Sequence, residues 1–401
     1  MSAATVVDFE LVLPGFRLEG GAPLAPHVVR GWAWGPAGDA AVFGARGRVV
    51  EPRPWRVVRR AACGAASGAT GPGLDPSVPT IVVVHALTGD ARAGDWWAPV
   101  IGEGQPLDPT RARLLSFNLL GSCYGTSGPA DAGFPTAAQD RGGEEATRRE
   151  PATITTWDQA RSILLALDAL GVSRVHLVTG GSLGGMVALA LAALDPARFE
   201  RVAPIAAAPA ASAWILAWNH VARQAILGDP SFPEDGSRGL HLARQVAMTT
   251  YRAEPGFART QGRGQREARG GWAPRAPYAM QTYLTHQGDK LIARFDARAY
   301  VALIGAMDHH DLDRAPPAPE ASERWPGDGA WGLGRITARV LAVGVDTDAL
   351  YAPQHGVKLA ADLAARGRTA RYREIASPHG HDAFLIEWDQ LRPILAEAVA
   401  L

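Results

Sequence analysis

The sequence predicts an α/β fold: a mostly parallel central sheet, helices on both of its faces, and a helical insertion. Short β-branched runs such as 80–85 are typical of strands that are buried on both faces. These runs alternate with segments of helical spacing such as 156–170, and strand–helix alternation predicts a parallel sheet covered by helices. The strand signals stop after about residue 210 and resume near 340, which indicates the insertion.

The elements of the core follow in chain order. Residues 1–60 are predicted as short strands and turns, because runs at 27–29 and 32–34 are strand-like and prolines and glycines break up the rest. The Gly/Ala/Ser/Pro-rich stretch 62–78 is predicted as a surface loop. Apolar β-branched runs predict core strands at 80–85, 113–118, 175–179, 201–206, 340–345 and 371–375. Helical spacing predicts helices at 156–170, 183–194, 354–366 and 390–401.

The segment from about 210 to 330 is predicted mainly as helix and loop. Its stretch 253–277 is rich in Gly, Arg and Pro and is predicted as loop. The economical interpretation is a helical cap, 208–335, inserted into an α/β core made of 1–207 and 336–401. The base of this cap is expected near Ala207 and Ile336.

Charge and composition argue against several classes of protein. Forty basic and forty acidic residues give a formal net charge of zero, which does not favour binding to nucleic acid or to a membrane surface. The two cysteines, Cys63 and Cys123, form neither a metal-binding spacing nor a disulfide framework, so no metal is expected. Residues 1–4 lack signal-peptide features and no apolar stretch reaches membrane-spanning length, so a cytoplasmic location is expected.

The segment 180–184, Gly-Gly-Ser-Leu-Gly, is the most informative motif. It lies between the predicted strand at 175–179 and the predicted helix at 183–194. A G-x-S-x-G turn in this strand–turn–helix context predicts a nucleophile elbow, and the glycines allow the sharp turn. Ser182 is therefore the candidate nucleophile, and the alternative is a glycine-rich turn in which the serine is incidental.

A serine nucleophile needs a base, and the base needs an orienting acid. Asp346 and Asp348 follow one predicted strand, and His379 and His381 follow the last one. Loops at the carboxyl ends of strands are where an open α/β sheet carries its site, and the chain order is Ser, acid, His. Spacing leaves both acids and both histidines open.

An acyl-transfer site also needs backbone donors for the oxyanion that forms on the substrate. One candidate is the N–H of Leu183, the residue after the nucleophile, and the second is the N–H of Leu87 in the loop after the strand 80–85. His85 could act as a base, but it is better interpreted as a histidine packed at the end of a strand.

Several motifs accompany these residues in a fixed order. They lie at 85–89, 94–97, 118–129, 180–186, 222–226, 294–296, 308–311, 346–351 and 380–385. In these motifs the chain resembles the homoserine O-acyltransferase family, α/β-hydrolase-fold enzymes that acylate homoserine or serine from acyl-CoA. The resemblance spans most of the chain, from about residue 80 to 390.

The resemblance implies a role for individual residues. Ser182 would be the nucleophile, Asp348 the acid and His381 the base. Arg223, in the Arg-Gln-Ala-Ile segment, would hold the carboxylate of the amino-acid acceptor, a role suited to the two parallel donors of a guanidinium. Asp382 would bind the α-amino group of the acceptor.

The resemblance also implies a reaction and its partners. It implies a ping-pong acyltransferase of methionine biosynthesis that uses acetyl-CoA or succinyl-CoA as a co-substrate and holds no bound cofactor. The acceptor would be homoserine or serine, and the cap helices would form a homodimer. Two alternatives are an esterase or thioesterase with the same triad and a catalytically inactive protein of the same fold.

Overall fold

The computed structural model describes residues 4–13, 15–51, 57–58, 73–140, 150–265, 273–315 and 331–401. Its strands are β1 (Ala4–Leu13), β2 (Phe16–Arg17), β3 (Pro23–Leu24), β4 (His27–Pro36), β5 (Arg48–Val49), β6 (Thr80–Val84), β7 (Arg113–Phe117), β8 (Leu177–Gly181), β9 (Arg201–Ile205), β10 (Arg339–Val345) and β11 (Ala370–Ile375). Its α-helices are α1 (Asp39–Arg46), α2 (Ala93–Trp96), α3 (Thr156–Leu170), α4 (Leu183–Leu194), α5 (Ala213–Leu227), α6 (Ser237–Tyr251), α7 (Glu254–Thr260), α8 (Ala279–Ile292), α9 (Ala297–Asp308), α10 (Pro353–Ala365) and α11 (Trp388–Ala400).

The main sheet has nine strands in the order β11-β10-β9-β8-β6-β7-β4-β1-β5. The six strands from β11 to β7 run parallel, and β4, β1 and β5 add antiparallel strands at one edge. The predicted α/β fold with a mostly parallel sheet is therefore confirmed. The chain leaves β6 toward β7 on one side and continues with β8 on the other, so the strand order reverses beside β6, the usual place for a site in such sheets.

Strand β6 shows why the core strands could be predicted. Val82 and Val84 contact one hydrophobic cluster, which includes α3 and α4, whereas Ile81 and Val83 contact a second cluster on the opposite face, which includes α11. Side chains alternate between faces along a strand, so a strand covered on both faces must be apolar at every position.

The N-terminal region differs in part from its prediction. Besides the short strands β2, β3 and β5, it contains β1 and β4, which are ten residues each and pair antiparallel along their full length. Gly31, which separates the strand-like runs at 27–29 and 32–34, lies inside β4 at a point where a Cβ would overlap the ring of Phe9. The glycine makes room for an aromatic side chain and does not end the strand. Helix α1 also lies in the part predicted as strands and turns.

Between β9 and β10, the described residues form α5 to α9, and we call this part of the chain the insertion. The loop predicted at 253–277 is partly wrong, because 254–260 form α7. Pro255 lies in its first turn, where a missing N–H breaks no helical hydrogen bond. Residues 266–272 lie outside the described residues, and so do residues 62–72 of the loop predicted at 62–78. The cap boundaries 208–335 stay a prediction. No helix in the described ranges is both long and apolar enough to cross a membrane.

Candidate active site

Ser182 lies between β8 and α4 with φ 57° and ψ −125°, a backbone conformation that residues other than glycine rarely adopt. Its N–H donates to the carbonyl oxygen of Ile205 in β9 (2.8 Å). A Cβ at Gly180 or at Gly184 would overlap the carbonyl oxygen of Val84. The sharp turn therefore depends on these two glycines, as the motif predicts.

The structure brings two of the predicted site residues together on the loops after β10 and β11. His381 Nδ1 lies 2.6 Å from Asp348 Oδ2, and both side chains are buried. The other carboxylate oxygen of Asp348 accepts the N–H groups of Leu350 and Tyr351, each at 2.8 Å. Asp348 is thus fixed by backbone donors and can orient the imidazole.

The charge of Asp348 also sets the protonation of the histidine. Burial by itself lowers the pKa of His381, but the carboxylate of Asp348 more than offsets burial, and the pKa is raised above 6.5. The second nitrogen, Nε2, is buried and has no hydrogen-bond partner among the described residues. An oriented imidazole with a free Nε2 is what a general base requires.

The two neighbouring candidates have other contacts. Asp346 Oδ1 accepts the N–H of Ser377 at 2.9 Å, and His379 Nδ1 lies 3.4 Å from a guanidinium nitrogen of Arg252. Neither contact involves the His381–Asp348 pair.

Tyr351 was missed as a site residue, although it belongs to the motif at 346–351. Its ring stacks on the imidazole of His381, with centroids 5.1 Å apart and planes at 23°. Its hydroxyl donates to Met186 Sδ (3.6 Å) and interacts with the side chain of Ser182. Burial, followed by the carboxylates of Asp348 and Asp308, raises the pKa of this hydroxyl, so it stays protonated and remains a donor.

His85 is a packed residue, as expected. Its Nε2 accepts the N–H of Leu119 (3.0 Å), and its Nδ1 lies 2.8 Å from the carbonyl oxygen of Ala86. Burial lowers the pKa of His85 to about 4, so the ring is neutral near pH 7. Leu87 and Leu183 are both buried, and their role as oxyanion donors stays a prediction.

Arg223 and Asp382 lie in separate ion pairs. Arg223 pairs with Asp308, whose other carboxylate oxygen accepts from Asn219 Nδ2 at 2.7 Å. Asp382 pairs with Arg252, with Nε and Oδ2 3.2 Å apart. Burial raises the pKa of Asp382, and the guanidinium of Arg252 opposes that shift.

Arg252 is a second residue that the sequence analysis missed. It follows the last residue of α6, and the ring of Tyr251 lies 5.7 Å from that of His381. The end of α6 therefore reaches the His381–Asp348 pair. No local pattern marks Arg252, because its partner Asp382 lies far away in the sequence.

Among the described residues, no group of three His, Cys, Asp or Glu side chains could hold a metal ion. Cys123 is buried with a free thiol, and Cys63 lies outside the described residues.

Comparison with known proteins identifies the superfamily and the family. Residues 79–387 match the family described as the alpha/beta hydrolase fold. A homoserine O-acetyltransferase of Thermus thermophilus is 40% identical over 339 residues, which cover 79% of this chain and 80% of that protein. The enzyme of the same name from Nostoc punctiforme is 38% identical over 324 residues, which cover 79% and 85%.

Solved structures share the fold over nearly the whole chain. The homoserine O-acetyltransferase from Bacillus anthracis aligns with a TM-score of 0.73 at 19% identity, covering 100% of this chain and 99% of that one. Esterase E22 also aligns with a TM-score of 0.73, at 17% identity and with 98% and 100% coverage. At these identities the likeness concerns the fold alone.

The sheet and the matched family define this protein as an α/β-hydrolase-fold enzyme. Within that superfamily the chain belongs to the homoserine O-acetyltransferase family, and it is an acyltransferase. The predicted family resemblance is thereby confirmed.

Proposed function

We propose that this enzyme transfers an acyl group from acyl-CoA to the hydroxyl of homoserine through a covalent intermediate on Ser182. The buried 2.6 Å contact between His381 and Asp348 carries the proposal, because it supplies an oriented base for the elbow serine. The acceptor is supported by the names of the relatives that are 38% and 40% identical.

In the first half-reaction, His381 Nε2 takes the proton of Ser182 while Oγ attacks the thioester carbon. The N–H groups of Leu87 and Leu183 stabilise the oxyanion of the tetrahedral intermediate. The carbon–sulfur bond then breaks, and the CoA thiol leaves with the proton from His381.

In the second half-reaction, the acceptor hydroxyl gives its proton to His381 and attacks the acyl-serine carbonyl. The bond to Ser182 Oγ breaks, and Oγ regains its proton from the imidazolium. Asp348 holds Nδ1–H throughout and stabilises the charged ring.

Recognition of the acceptor is assigned to Asp382 and an arginine. The family resemblance places the acceptor carboxylate on Arg223, whose charge is already matched by Asp308. The structure offers Arg252 as an alternative, because it lies beside Asp382. The amino and carboxylate groups of an amino acid share one carbon atom, so a neighbouring acid and guanidinium fit the two groups together.

The test is a mass-spectrometric assay of acetyl-CoA and succinyl-CoA, each with homoserine, with serine and with neither. We expect acylated homoserine in amounts that match the CoA released, and the donor that works identifies the acyl group. Release of CoA without an acylated amino acid would favour the thioesterase alternative, and Ser182→Ala corrects for uncatalysed thioester loss.

A homodimer and a cytoplasmic location belong to the same proposal. Trp214 and Val221 on α5 are 52% and 48% exposed, and Leu242 on the adjacent α6 is 51% exposed. Exposed apolar side chains on two helices that pack together suit a contact between two copies. Light scattering should give the mass of a dimer, and Trp214→Ser combined with Leu242→Ser should give a monomer.

A further inference from the structure

The oxyanion loop, residues 85–89, is anchored to the core at both of its ends. His85 Nε2 accepts the N–H of Leu119 (3.0 Å), and just beyond the loop Ala91 N–H donates to Asn118 Oδ1 (2.8 Å). Both partners follow β7 directly. The middle of the loop needs a further anchor if the N–H of Leu87 is to keep one orientation.

That anchor comes from the insertion. Arg294 lies between α8 and α9, and its Nη1 donates to the carbonyl oxygen of Thr88 (2.7 Å) and to the hydroxyl of Tyr124 (2.6 Å). Nη2 lies 3.5 Å from Thr88 Oγ1. The next residue, Phe295, packs its ring edgewise on Tyr124, with centroids 5.6 Å apart.

The geometry of the loop connects Thr88 to the oxyanion donor. Gly89 N–H donates to Ala86 O (2.9 Å), which closes a tight turn with Leu87 and Thr88 at its centre. The Thr88 carbonyl and the Gly89 N–H belong to one peptide group, and Ala86 O belongs to the peptide group that carries the Leu87 N–H. A charged donor on the Thr88 carbonyl oxygen therefore restrains the Leu87 N–H through the hydrogen bond from Gly89 to Ala86.

We propose that Arg294 is a positioning residue that fixes the oxyanion loop from the side of the insertion. The proposal rests on the proposed role of Leu87 as an oxyanion donor. Oxyanion donors act because they are oriented before the charge forms. The consequence is that the catalytic geometry of the core loop depends on docking of the connection between α8 and α9.

The experiment compares Arg294→Lys, which keeps the charge but loses the fork of donors, with Arg298→Lys as the matched control. Arg298 lies four residues further on and pairs with Asp296 (3.2 Å). Two quantities are measured: the rate of Ser182 acylation by p-nitrophenyl acetate, and the affinity for a boronic acid that forms a tetrahedral adduct with the serine. This acylation needs no homoserine, so it tests Arg294 even if the proposed acceptor is wrong.

We expect Arg294→Lys to lower the acylation rate about 10- to 100-fold, less than or similar to the loss of one oxyanion donor. The boronate affinity of Arg294→Lys should fall by a similar factor, while its KM stays within about twofold of the wild type. The acylation rate of Arg298→Lys should also stay within about twofold of the wild type. A rate within twofold of the wild type overturns the proposal, and so does a slow variant that binds the boronate normally.

A second variant covers the case in which Arg294→Lys does not fold. Tyr124→Phe removes one acceptor of Nη1 and keeps the ring that packs on Phe295. Tyr124→Phe should slow acylation by a few-fold and lower the affinity for the boronic acid by a similar factor. Unchanged acylation and boronate binding in Tyr124→Phe would also overturn the proposal.

Discussion

The two halves of the site are built differently. On the side of the sheet, Ser182 and Asp348 are held by backbone contacts at the ends of strands, and His381 is held by Asp348. On the side of the insertion, Arg223 and Arg252 are held by ion pairs with partners distant in sequence. The comparison suggests that the reacting groups belong to the sheet and the arginine for the acceptor carboxylate to the insertion, so substitutions of the triad and of this arginine should affect different half-reactions.

The largest effect should come from the sheet side. Ser182→Ala removes the nucleophile and should reduce turnover about 10⁴-fold or more, as in other serine triads. Wild-type enzyme incubated with acyl-CoA alone should gain one acyl mass on the peptide that contains Ser182. An acyl mass on another peptide, or none after rapid quenching, would rule out the ping-pong scheme.

The next prediction separates the paired candidates. Asp348→Asn favours the wrong tautomer and His381→Ala removes the base, so each should lower kcat by about 10³- to 10⁴-fold. Asp346→Asn and His379→Ala are the matched controls and should keep most of the activity, since the hydrogen bonds of their side chains go to Ser377 and Arg252 rather than to His381 or Asp348. Steady-state kinetics of the four variants checks this assignment, which fails if a control loses as much activity.

The pH profile provides an independent check of the same pair. His381 must be neutral to act as a base, and its pKa is raised above 6.5. The activity should therefore fall as the pH drops, with the acidic limb of kcat/KM above pH 6.5. The residual activity of Asp348→Asn should show this limb at lower pH, because the carboxylate charge that raises the pKa of His381 is gone.

On the insertion side, Arg223→Ala should leave acylation of Ser182 close to normal and slow transfer to homoserine. The acceptor carboxylate would lose its buried partner, which raises the free-energy barrier of transfer by about 2–5 kcal/mol and slows transfer roughly 30-fold or more. Rapid-quench measurement of each half-reaction checks this, with the exposed Arg259 as the control position.

The same experiment on Arg252→Ala decides between the two arginines. The arginine that holds the carboxylate should become unimportant when the acceptor is an amino alcohol without a carboxylate. If both variants slow acylation as much as transfer, the separation of the two sides is wrong.

Acid sensitivity should extend to both sides. Burial lowers the pKa of His85, the first residue of the oxyanion loop, and of His310, which follows α9, to about 4 in each case. The unfolded chain binds these protons near pH 6.5, so the free energy of unfolding should fall as the pH drops from about 6.5 to 4, by up to ~3 kcal/mol per histidine. Urea unfolding at several pH values measures this, and His310→Gln should flatten the dependence.

The smallest predicted effect concerns Tyr351. Tyr351→Phe keeps the ring on His381 and loses the hydroxyl that interacts with Ser182. We expect acylation to slow by about 3- to 10-fold, the value of one hydrogen bond of roughly 1 kcal/mol. Tyr351→Leu, which also removes the ring, should be slower, and equal rates for the two variants would mean that the ring has no role.

The parts of the fold that could be predicted are those in which one local pattern has one structural cause. Strand β6 is apolar throughout because both of its faces are covered. The glycines at 180 and 184 are required by the turn itself. Gly31 and Pro255 were misleading, because the effect of each depends on its position: the first faces Phe9, and the second lies in the first turn of a helix.

The residues that could not be predicted depend on long-range contacts. Arg252 becomes a site residue through its ion pair with Asp382, and Arg294 contacts the oxyanion loop through Thr88. Nothing near Arg252 in the sequence distinguishes it, and the motif at 294–296 marks Arg294 without showing which loop it contacts. Choosing between Asp346 and Asp348 likewise required the family resemblance, because both follow the same strand.

The glycines at 180 and 184 also limit how this enzyme could be redesigned. Both press against the last carbonyl group of β6, and the oxyanion loop starts at the next residue. The spacing between nucleophile and loop is therefore set by main-chain atoms, which side-chain replacement leaves in place. An engineer seeking a new acceptor can vary the side chains of the insertion. An alanine at either glycine would instead push Ser182 away from the oxyanion loop.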